Sequence, residues 1–478
     1  MLSVLRNKWT GLPLAVKVST AYAICSILQN CLSFITLPLF TRLLTTEQYG
    51  QFTIYSSWQS ILSIFLTLNL AYGSFSTAMV KFENDRDGYI SAVEGICLCL
   101  TGVFLLIYLP FQHFWNYWFQ LPSPIILLMI AEMLCTTAIM LWSGKKRFEF
   151  KYIGVVTVTL FIAVISPIVA YFLIINSIEK GYARIFGFAI VIILVGGVFF
   201  VFNILRGRNV LNITYWKYAL NFNVPLLAYY LSQVVFNQSD RIMISHMVGT
   251  DKAALYGVAY SLAMVLSFVL NAINNSYVPW FYRKLKDGKM SENKIVSLGI
   301  AVFMAIILSS IIWLAPEIIQ FIAGSKYLEA VYVVPPVAIS LLLLFYAQLF
   351  INVEFYFEKK ECLVWASIGS AIINIVLNTI FVRKFGFIAA AYTTLISYIV
   401  FVCCNCLGMK KVLKEKEIND VIYDYRKLMG LFVLFCCFSI VGSLLYGHFA
   451  VRFIMILGFF IVFISKRKPL KEKYYSKL

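Results

Sequence analysis

Few residues in this sequence combine a reactive type with a telling position, and the clearest are charged groups inside apolar runs. Glu132 lies near the middle of the run 123–143. A carboxyl at that depth in hydrocarbon must be neutral or paired, because desolvation penalises its charged form. It reads either as a coupling carboxyl that takes up and releases a proton, or as a buried hydrogen-bond partner. Asp240 and Arg241 sit in the outer half of another run, and Arg42 ends the first. Ionisable groups inside apolar runs are costly and therefore candidates for function. The alternatives are a self-compensating Asp240–Arg241 pair and an Arg42 that snorkels to the interface. Glu94 and Glu354 fall nearer the ends of their runs, where solvent is expected to reach them.

Polar stripes accompany these charges. Tyr22, Ser26, Gln29, Ser33 and Thr36 recur at three- and four-residue steps, with Asn30 beside them. Tyr55, Gln59, Ser63 and Thr67 follow at steps of four; Tyr229, Gln233 and Asn237 precede Asp240; Ser267, Asn271, Asn274 and Asn275 make a fourth set. Residues so spaced share a helix face. In hydrocarbon that face must turn to protein or to a water-filled cavity. Interhelical hydrogen bonding, at about 0.6–2 kcal/mol per contact, accounts for any single Ser or Thr. Four stripes together favour a hydrated cavity. Its expected lining is Arg42, Arg241, Asp240, Gln29, Asn30, Gln59, Gln233, Asn237, Asn271 and Asn274, with Glu132 as the coupling group.

Other chemistry finds no support. Ten of the eleven cysteines lie inside apolar runs, where Cys behaves as a small hydrophobe. Cys403 and Cys406 have C-x-x-C spacing but no second pair and no nearby histidine. His113, His246 and His448 are far apart in sequence and make no metal-ligand spacing. There is no nucleophile elbow, phosphate-cradling loop or cofactor motif, which favours moving a substrate over converting it.

The elements that must position these residues are membrane helices. Of the 478 residues, 61% are hydrophobic and 13% charged, and mean hydropathy is +0.84. A soluble chain is about 45–50% apolar and about 25% charged, so a soluble enzyme is excluded. At about 20 residues per crossing, fourteen spans are expected: 18–41, 52–71, 90–110, 123–143, 152–175, 183–205, 219–247, 254–275, 295–322, 330–357, 362–382, 386–407, 428–446 and 449–465. The first is too long for a signal-peptide core and is expected to be a permanent helix. The longest loops, 72–89, 276–294 and 408–427, are expected on one face. The other face has only short ones, such as 111–122, whose Trp115, Tyr117, Trp118 and Phe119 read as an interfacial belt.

The net charge of +18 has a topological origin. Of 40 Lys and Arg, only Arg42, Lys180, Arg184, Arg241, Lys252, Lys326, Arg383, Lys384 and Arg452 fall on the side opposite the N-terminus. The rest, including Arg6, Lys8, Lys145-Lys146-Arg147 and Lys466-Arg467-Lys468, share the other side. Both termini are therefore expected in the cytoplasm, and no nucleic-acid patch is needed to explain the excess.

Two segments look alike about 205 residues apart. Thr46-Glu47 followed by Tyr49-Gly50 joins spans 1 and 2; Thr250-Asp251 followed by Tyr256-Gly257 joins spans 7 and 8. The acidic residue suits a helix N-terminus. Six spans per copy keep both copies in one orientation, so the expected organisation is two parallel six-helix lobes with a site between them. They are 1–205 and 206–407, and 408–478 adds two helices and a basic tail.

A family resemblance enters at 374–397. Asn374-Ile375-Val376-Leu377-Asn378, then Phe385-Gly386-Phe387-Ile388-Ala389-Ala390-Ala391, then Thr393-Thr394 and Ser397 resemble the pattern N-x-x-x-N, [YF]-G-x-x-[GA]-A-A, T, S of bacterial polysaccharide exporters. Pro38-Leu39-Phe40-Thr41-Arg42-Leu43-Leu44 through Tyr49-Gly50 is similar to their first-helix signature, and Pro225, Asp240-Arg241, Gly249, Tyr256-Gly257 and Tyr260 extend the likeness. The chain thus resembles O-antigen or capsule-type lipid-linked oligosaccharide flippases of the multidrug/oligosaccharidyl-lipid/polysaccharide exporter superfamily.

The resemblance implies alternating access and a cavity lined by spans 1, 2, 7 and 8. The implied substrate is an undecaprenyl-diphosphate-linked repeat unit, moved outward across a bacterial inner membrane with H+ or Na+ as coupling ion. A glycan polymerase and a chain-length regulator are the implied partners. Lipid II flippases of the superfamily also carry two extra C-terminal helices, but their arginine-rich first-helix motif is absent here. Two alternatives stand beside this one: a small-molecule antiporter, and a membrane-embedded polysaccharide polymerase. The polymerase is expected to show a large outer loop with arginines, which this sequence lacks.

Overall fold

The computed structural model describes residues 14–359, 361–418 and 421–455. Among them the chain is all-α. Its helices are α1 (Leu14–Leu43), α2 (Thr46–Thr67), α3 (Phe75–Lys81), α4 (Arg86–Tyr108), α5 (Gln112–Phe119), α6 (Ser123–Phe148), α7 (Tyr152–Ile175), α8 (Lys180–Gly207), α9 (Ile213–Asn223), α10 (Leu227–Met247), α11 (Thr250–Lys286), α12 (Asn293–Trp313), α13 (Ala315–Ala323), α14 (Val334–Tyr356), α15 (Glu361–Phe385), α16 (Ile388–Glu415) and α17 (Tyr425–Leu444). Among the described residues eleven helices are long and apolar enough to cross a membrane. The chain is a multi-pass membrane protein.

Eleven is fewer than the fourteen expected, for identifiable reasons. Helices α2 and α10, with 22 and 21 residues, have the length of a span. They carry the polar stripes, which lower their apolarity below that of the other eleven. The expected span 449–465 and the basic tail with Lys466-Arg467-Lys468 lie largely outside the described residues, as do Arg6 and Lys8. Expected loops also turn out helical: α3 lies in 72–89, α11 continues to Lys286, and α16 continues to Glu415.

Chain packing divides the molecule into two units, Met1–Gly257 and Val258–Leu478. In the first, α6, α7 and α8 pack side by side, and α4 and α2 complete the bundle. Its core joins Tyr55, Leu62 and Leu66 of α2 to Ile126, Met129 and Met133 of α6. The aromatic segment 111–122 is partly core: Phe119 is buried, and Trp115 packs beside it. Tyr117 and Trp118 remain exposed, so only they fit the interfacial role.

The start of α2 shows how sequence sets the frame. The Thr45 hydroxyl accepts the Gln48 N–H at 3.2 Å, and Gln48 Oε1 accepts the Thr45 N–H at 3.1 Å. This capping box satisfies two otherwise orphaned donors. A turn later Gly50 lies against the Thr250 backbone with no room for a Cβ, while Gly257 lies against the Thr53 side chain. Each Tyr-Gly segment thus meets a threonine beside the other copy.

In the second unit α14 is almost wholly buried and packs against α16, α12 and α17. The exporter-like segment forms a hydrogen-bonded seam between α15 and α16. Asn374 Nδ2 donates to Thr394 Oγ1 at 2.9 Å, Asn378 Nδ2 to Asn374 Oδ1 at 3.2 Å, and Thr393 to Asn378 Oδ1. All four are buried. The motif therefore closes polar groups on one another inside the unit.

Candidate functional site

Helix α2 turns the polar face formed by Gln59, Ser60, Ser63 and Thr67 toward Glu132, Met133, Thr136, Thr137 and Met140 of α6. With Ile192 of α8 and Asn69, Ala71 and Tyr72 just beyond α2, these side chains line an open-sided cavity of about 360 Å³. The hydroxyls are stable there because each satisfies its donor on its own helix. Ser60 donates to the Ser56 carbonyl at 2.8 Å, Ser63 to Ser60 at 2.8 Å and Thr67 to Ser63 at 2.7 Å. Thr67 Oγ1 also accepts the Asn69 N–H at 3.3 Å, whereas the Ser60 and Ser63 oxygens keep lone pairs for a guest.

Glu132 stands in the cavity wall and is 6% exposed. The Tyr55 hydroxyl donates to its Oε2 at 2.5 Å, and Gln59 is a second hydrogen-bond partner. Tyr55 and Gln59 are one helical turn apart, so the four-residue step read in the sequence delivers both to one carboxyl. Such a group can hold or release one proton at the wall of that cavity. Among the described residues no cluster of His, Cys, Asp and Glu has the make-up of a metal site.

A second polar group joins α2 to α10. Gln238 Oε1 accepts from Ser57 at 3.3 Å and from Arg241 Nη1. Asp240 is buried, and the Tyr256 hydroxyl donates to it at 2.5 Å. Asn237 Nδ2 donates to the Gln233 carbonyl at 2.7 Å, and both side chains are half-buried. Arg241, Asp240 and the Tyr256 hydroxyl thus share one corner of the first unit.

The remaining expected residues are more dispersed. Gln29 and Arg42 of α1 are exposed and Asn30 is half-buried. In the second unit Asn271 is exposed, while Asn274 is half-buried and accepts from Asn352 Nδ2 at 2.9 Å.

Two expectations are corrected. Glu94 is 1% exposed and Glu354 is 0% exposed, so neither meets solvent. Asn203 of α8 covers Glu94, and Glu354 lies against Gly408, which has no room for a Cβ beside that carboxyl and the Cys362 thiol. Tyr55, Ser57 and Gln238 were not singled out as site residues. Tyr55 lay in the α2 stripe; Ser57 and Gln238 gave no periodic signal.

Residues 15–285 match the family described as "Polysaccharide biosynthesis protein". Two relatives come from Haemophilus influenzae. "Lsg locus putative protein 1" is 30% identical over 160 residues, 33% of this chain and 40% of its own length. The chain therefore spans well under two thirds of that relative. An "Uncharacterized membrane protein" is 22% identical over 380 residues, covering 75% of this chain and 88% of its own. Among solved structures, the lipid II flippase MurJ in an inward closed conformation superposes with TM-score 0.68 at 15% identity, over 94% of this chain and 99% of that one. An inward-facing multidrug resistance MATE family transporter of the MOP superfamily gives 0.61 at 12% identity, over 84% and 100%. The fold is the one these transporters share.

Proposed function

The chain belongs to the polysaccharide biosynthesis protein family, and from that membership we propose that it is a flippase for an isoprenoid diphosphate-linked oligosaccharide. The O-antigen or capsule repeat unit is the substrate class, carried by alternating access from the cytoplasmic to the outer leaflet of a bacterial inner membrane. Both termini are cytoplasmic, and two six-helix repeats, 1–205 and 206–407, with the addition 408–478, are part of the same reading. The match of residues 15–285 to this family carries the proposal, and the MurJ-like fold supports it.

The physical task suits these residues. An isoprenoid tail can stay in lipid, but an unshielded ionised head would cost on the order of tens of kcal/mol to pass through hydrocarbon. Arg42 and Arg241 supply cations for the diphosphate. Gln29, Asn30, Gln59, Gln233, Asn237, Asn271 and Asn274 supply amide groups for sugar hydroxyls, and Asp240 orders its corner through Tyr256. An interior-negative potential favours outward movement of negative charge by about 2.3 kcal/mol per charge per 100 mV. H+ or Na+ adds coupling. A proton is the ion that the Tyr55–Glu132 contact supports, because hydrogen-bonded oxygens exchange a proton with little rearrangement. A glycan polymerase and a chain-length regulator are the expected partners.

Depletion of the protein in a glycan-producing cell tests the proposal. Undecaprenyl-linked repeat units should accumulate on the cytoplasmic leaflet, with loss of surface glycan. Normal surface glycan together with new drug sensitivity would instead select the small-molecule antiporter, the reading that the MATE-like fold supports.

A further inference from the structure

Glu94 is a buried acid in α4 with no role in the cavity. It lies on a stripe of its own: Asp87, Ser91, Glu94, Cys97 and Thr101 follow at three- and four-residue steps. From Ser91 onward every member is buried. Glu94 Oε1 accepts from Asn203 Nδ2 of α8 at 2.7 Å, whereas Oε2 is buried without a hydrogen-bond partner. Asn203 Nδ2 also lies 3.3 Å from the Ala138 carbonyl of α6, so the amide ties α4, α6 and α8 together around this acid.

The stripe leads in two directions. On one side Cys135, a turn after Glu132 on α6, lies within electrostatic reach of both Glu132 and Glu94. On the other, Ser91 Oγ accepts the Asn209 N–H at 3.1 Å and donates to the Gly88 carbonyl at 3.0 Å. Next comes Asp87, ion-paired with Lys145 at 2.5 Å and Arg206 at 3.1 Å. That end is the one charge asymmetry assigns to the cytoplasm.

The neighbouring ionisable groups leave Glu94 without a counter-charge. On its own helix stand Cys97, Tyr89 and Asp87. Helix α6 presents Cys135, Glu132 and Lys145, the last paired with Asp87 and Glu149. From α8 comes Arg206, paired with Asp87. Helix α2 offers Tyr55, bonded to Glu132; α9 offers Tyr215, bonded to Asp85; and α3 offers Lys81, over the Tyr218 ring. Among the described residues none of these cations makes an ion pair with Glu94. An uncompensated buried charge is costly by several kcal/mol, so the acid form is the one this site holds at rest.

We infer that Glu94 is a second proton-binding site of the first unit, an inner station between Glu132 and the Asp87–Lys145 cluster. The step conserves atoms and charge. Glu94 first gives up its proton toward the Asp87 carboxylate, its O–H bond breaking as one forms there. An O–H bond then breaks at Glu132 and one re-forms at Glu94, leaving Glu132 ionised beside the cavity and Glu94 neutral again. The Asn203 amide holds Glu94 in place for either form. This station rests on the reading of Glu132 as the coupling group, but its occupancy by a proton is measurable without transport.

Infrared difference spectroscopy on the full chain in lipid nanodiscs, stepped from acid to alkaline pH, provides the test. The wild-type protein should lose protonated-carboxyl C=O bands. Glu94→Gln should remove one of them and Glu132→Gln another. Gln is a neutral isostere that keeps the Asn203 contact, so thermal unfolding of Glu94→Gln should match wild type. Its pH-gradient-driven movement of lipid-linked glycan in proteoliposomes should fall about tenfold or more. A Glu94→Gln spectrum that superposes on wild type would overturn the proton site and leave the Glu132 reading standing. Loss of the band with unchanged transport would overturn the relay. An unaltered Glu132→Gln spectrum and transport rate would reject the coupling reading on which the relay depends.

Discussion

The Tyr55 hydroxyl and Glu132 Oε2 are 2.5 Å apart, joining α2 to α6 at the wall of a polar cavity. Tyr55→Phe removes that donor while keeping the ring in the α2–α6 core. Glu132 then retains only its Gln59 partner. If proton exchange at this carboxyl drives transport, Tyr55→Phe should slow pH-gradient-dependent export by about tenfold. Glu132→Gln should abolish the gradient dependence altogether. Export measured at matched protein levels with and without a pH gradient checks both. Full gradient dependence in Glu132→Gln would remove the coupling role.

Arg241 and Arg42 are the cations assigned to the diphosphate. Arg241 Nη1 donates to Gln238, which also accepts from Ser57, so a neutral amide orients one edge of its guanidinium. A hydrogen bond to a charged group is worth about 1.5–3 kcal/mol. Arg241→Ala and Arg42→Ala should therefore each weaken substrate binding by about 10–100-fold, with insertion and protein level normal. Arg241→Lys should recover part of the loss, since it keeps charge but not the planar fork. Binding of a purified lipid-linked oligosaccharide is the readout. Unchanged affinity in both alanine variants would withdraw the assignment.

What the sequence disclosed and what it hid have separate physical causes. Glu132 was legible because a carboxyl inside an apolar run is costly wherever the neighbours lie. Gln59 and Tyr55 were legible as a face because helical period alone places them together. That the face meets Glu132 depends on how α2 packs on α6, and one-dimensional pattern carries no such information. Glu94 and Glu354 were misjudged for the same reason: depth along a helix predicts solvent only when no other helix covers that end, and Asn203 and Gly408 do. Lys145 entered as one of three clustered topology charges, yet its ammonium is buried between Asp87 and Glu149. The spans themselves followed from apolarity, which also explains why the polar helices α2 and α10 fall outside the eleven.

Arg452 illustrates a charge whose role topology alone could not assign. It counted as one of nine cations opposite the N-terminus, but the side chain is 2% exposed and grips Glu317 at 2.5 and 3.0 Å. A third bond, at 2.7 Å, reaches the Trp313 carbonyl at the end of α12. Glu317 is 30% exposed, so water screens part of the pair, and removing one member costs less than the ~3–5 kcal/mol of a fully buried pair. Arg452→Leu should lower the thermal midpoint in detergent by a corresponding margin. The double replacement Arg452→Leu with Glu317→Leu should recover much of it, because no charge is left without its partner. Equal loss in the single and double variants would show that the guanidinium stabilises chiefly through the Trp313 carbonyl.

Glu149, just beyond the end of α6, gives the pH dependence with the clearest sign. Burial by itself would raise its pKa, but Lys146 and Lys151 hydrogen-bond it, Lys145 adds its charge, and the net result is a carboxyl held at about 2. The contacts are 3.1 Å to Lys146, 3.1 Å to Lys151 and 3.4 Å to Lys145. A carboxyl whose pKa is lower in the folded state stabilises that state fully above its unfolded value of about 4.3. The contribution is lost as pH falls from there through about 2. Glu149→Gln should therefore lower stability near neutral pH by about 1–3 kcal/mol, the upper part of that range being trimmed by solvent screening of Lys151. The difference from wild type should shrink below about pH 4 and vanish near pH 2. Thermal unfolding of both proteins in detergent across that interval reads the effect directly. A gap that stayed constant down to the lowest pH would mean that Glu149 acts through packing and not through its charge.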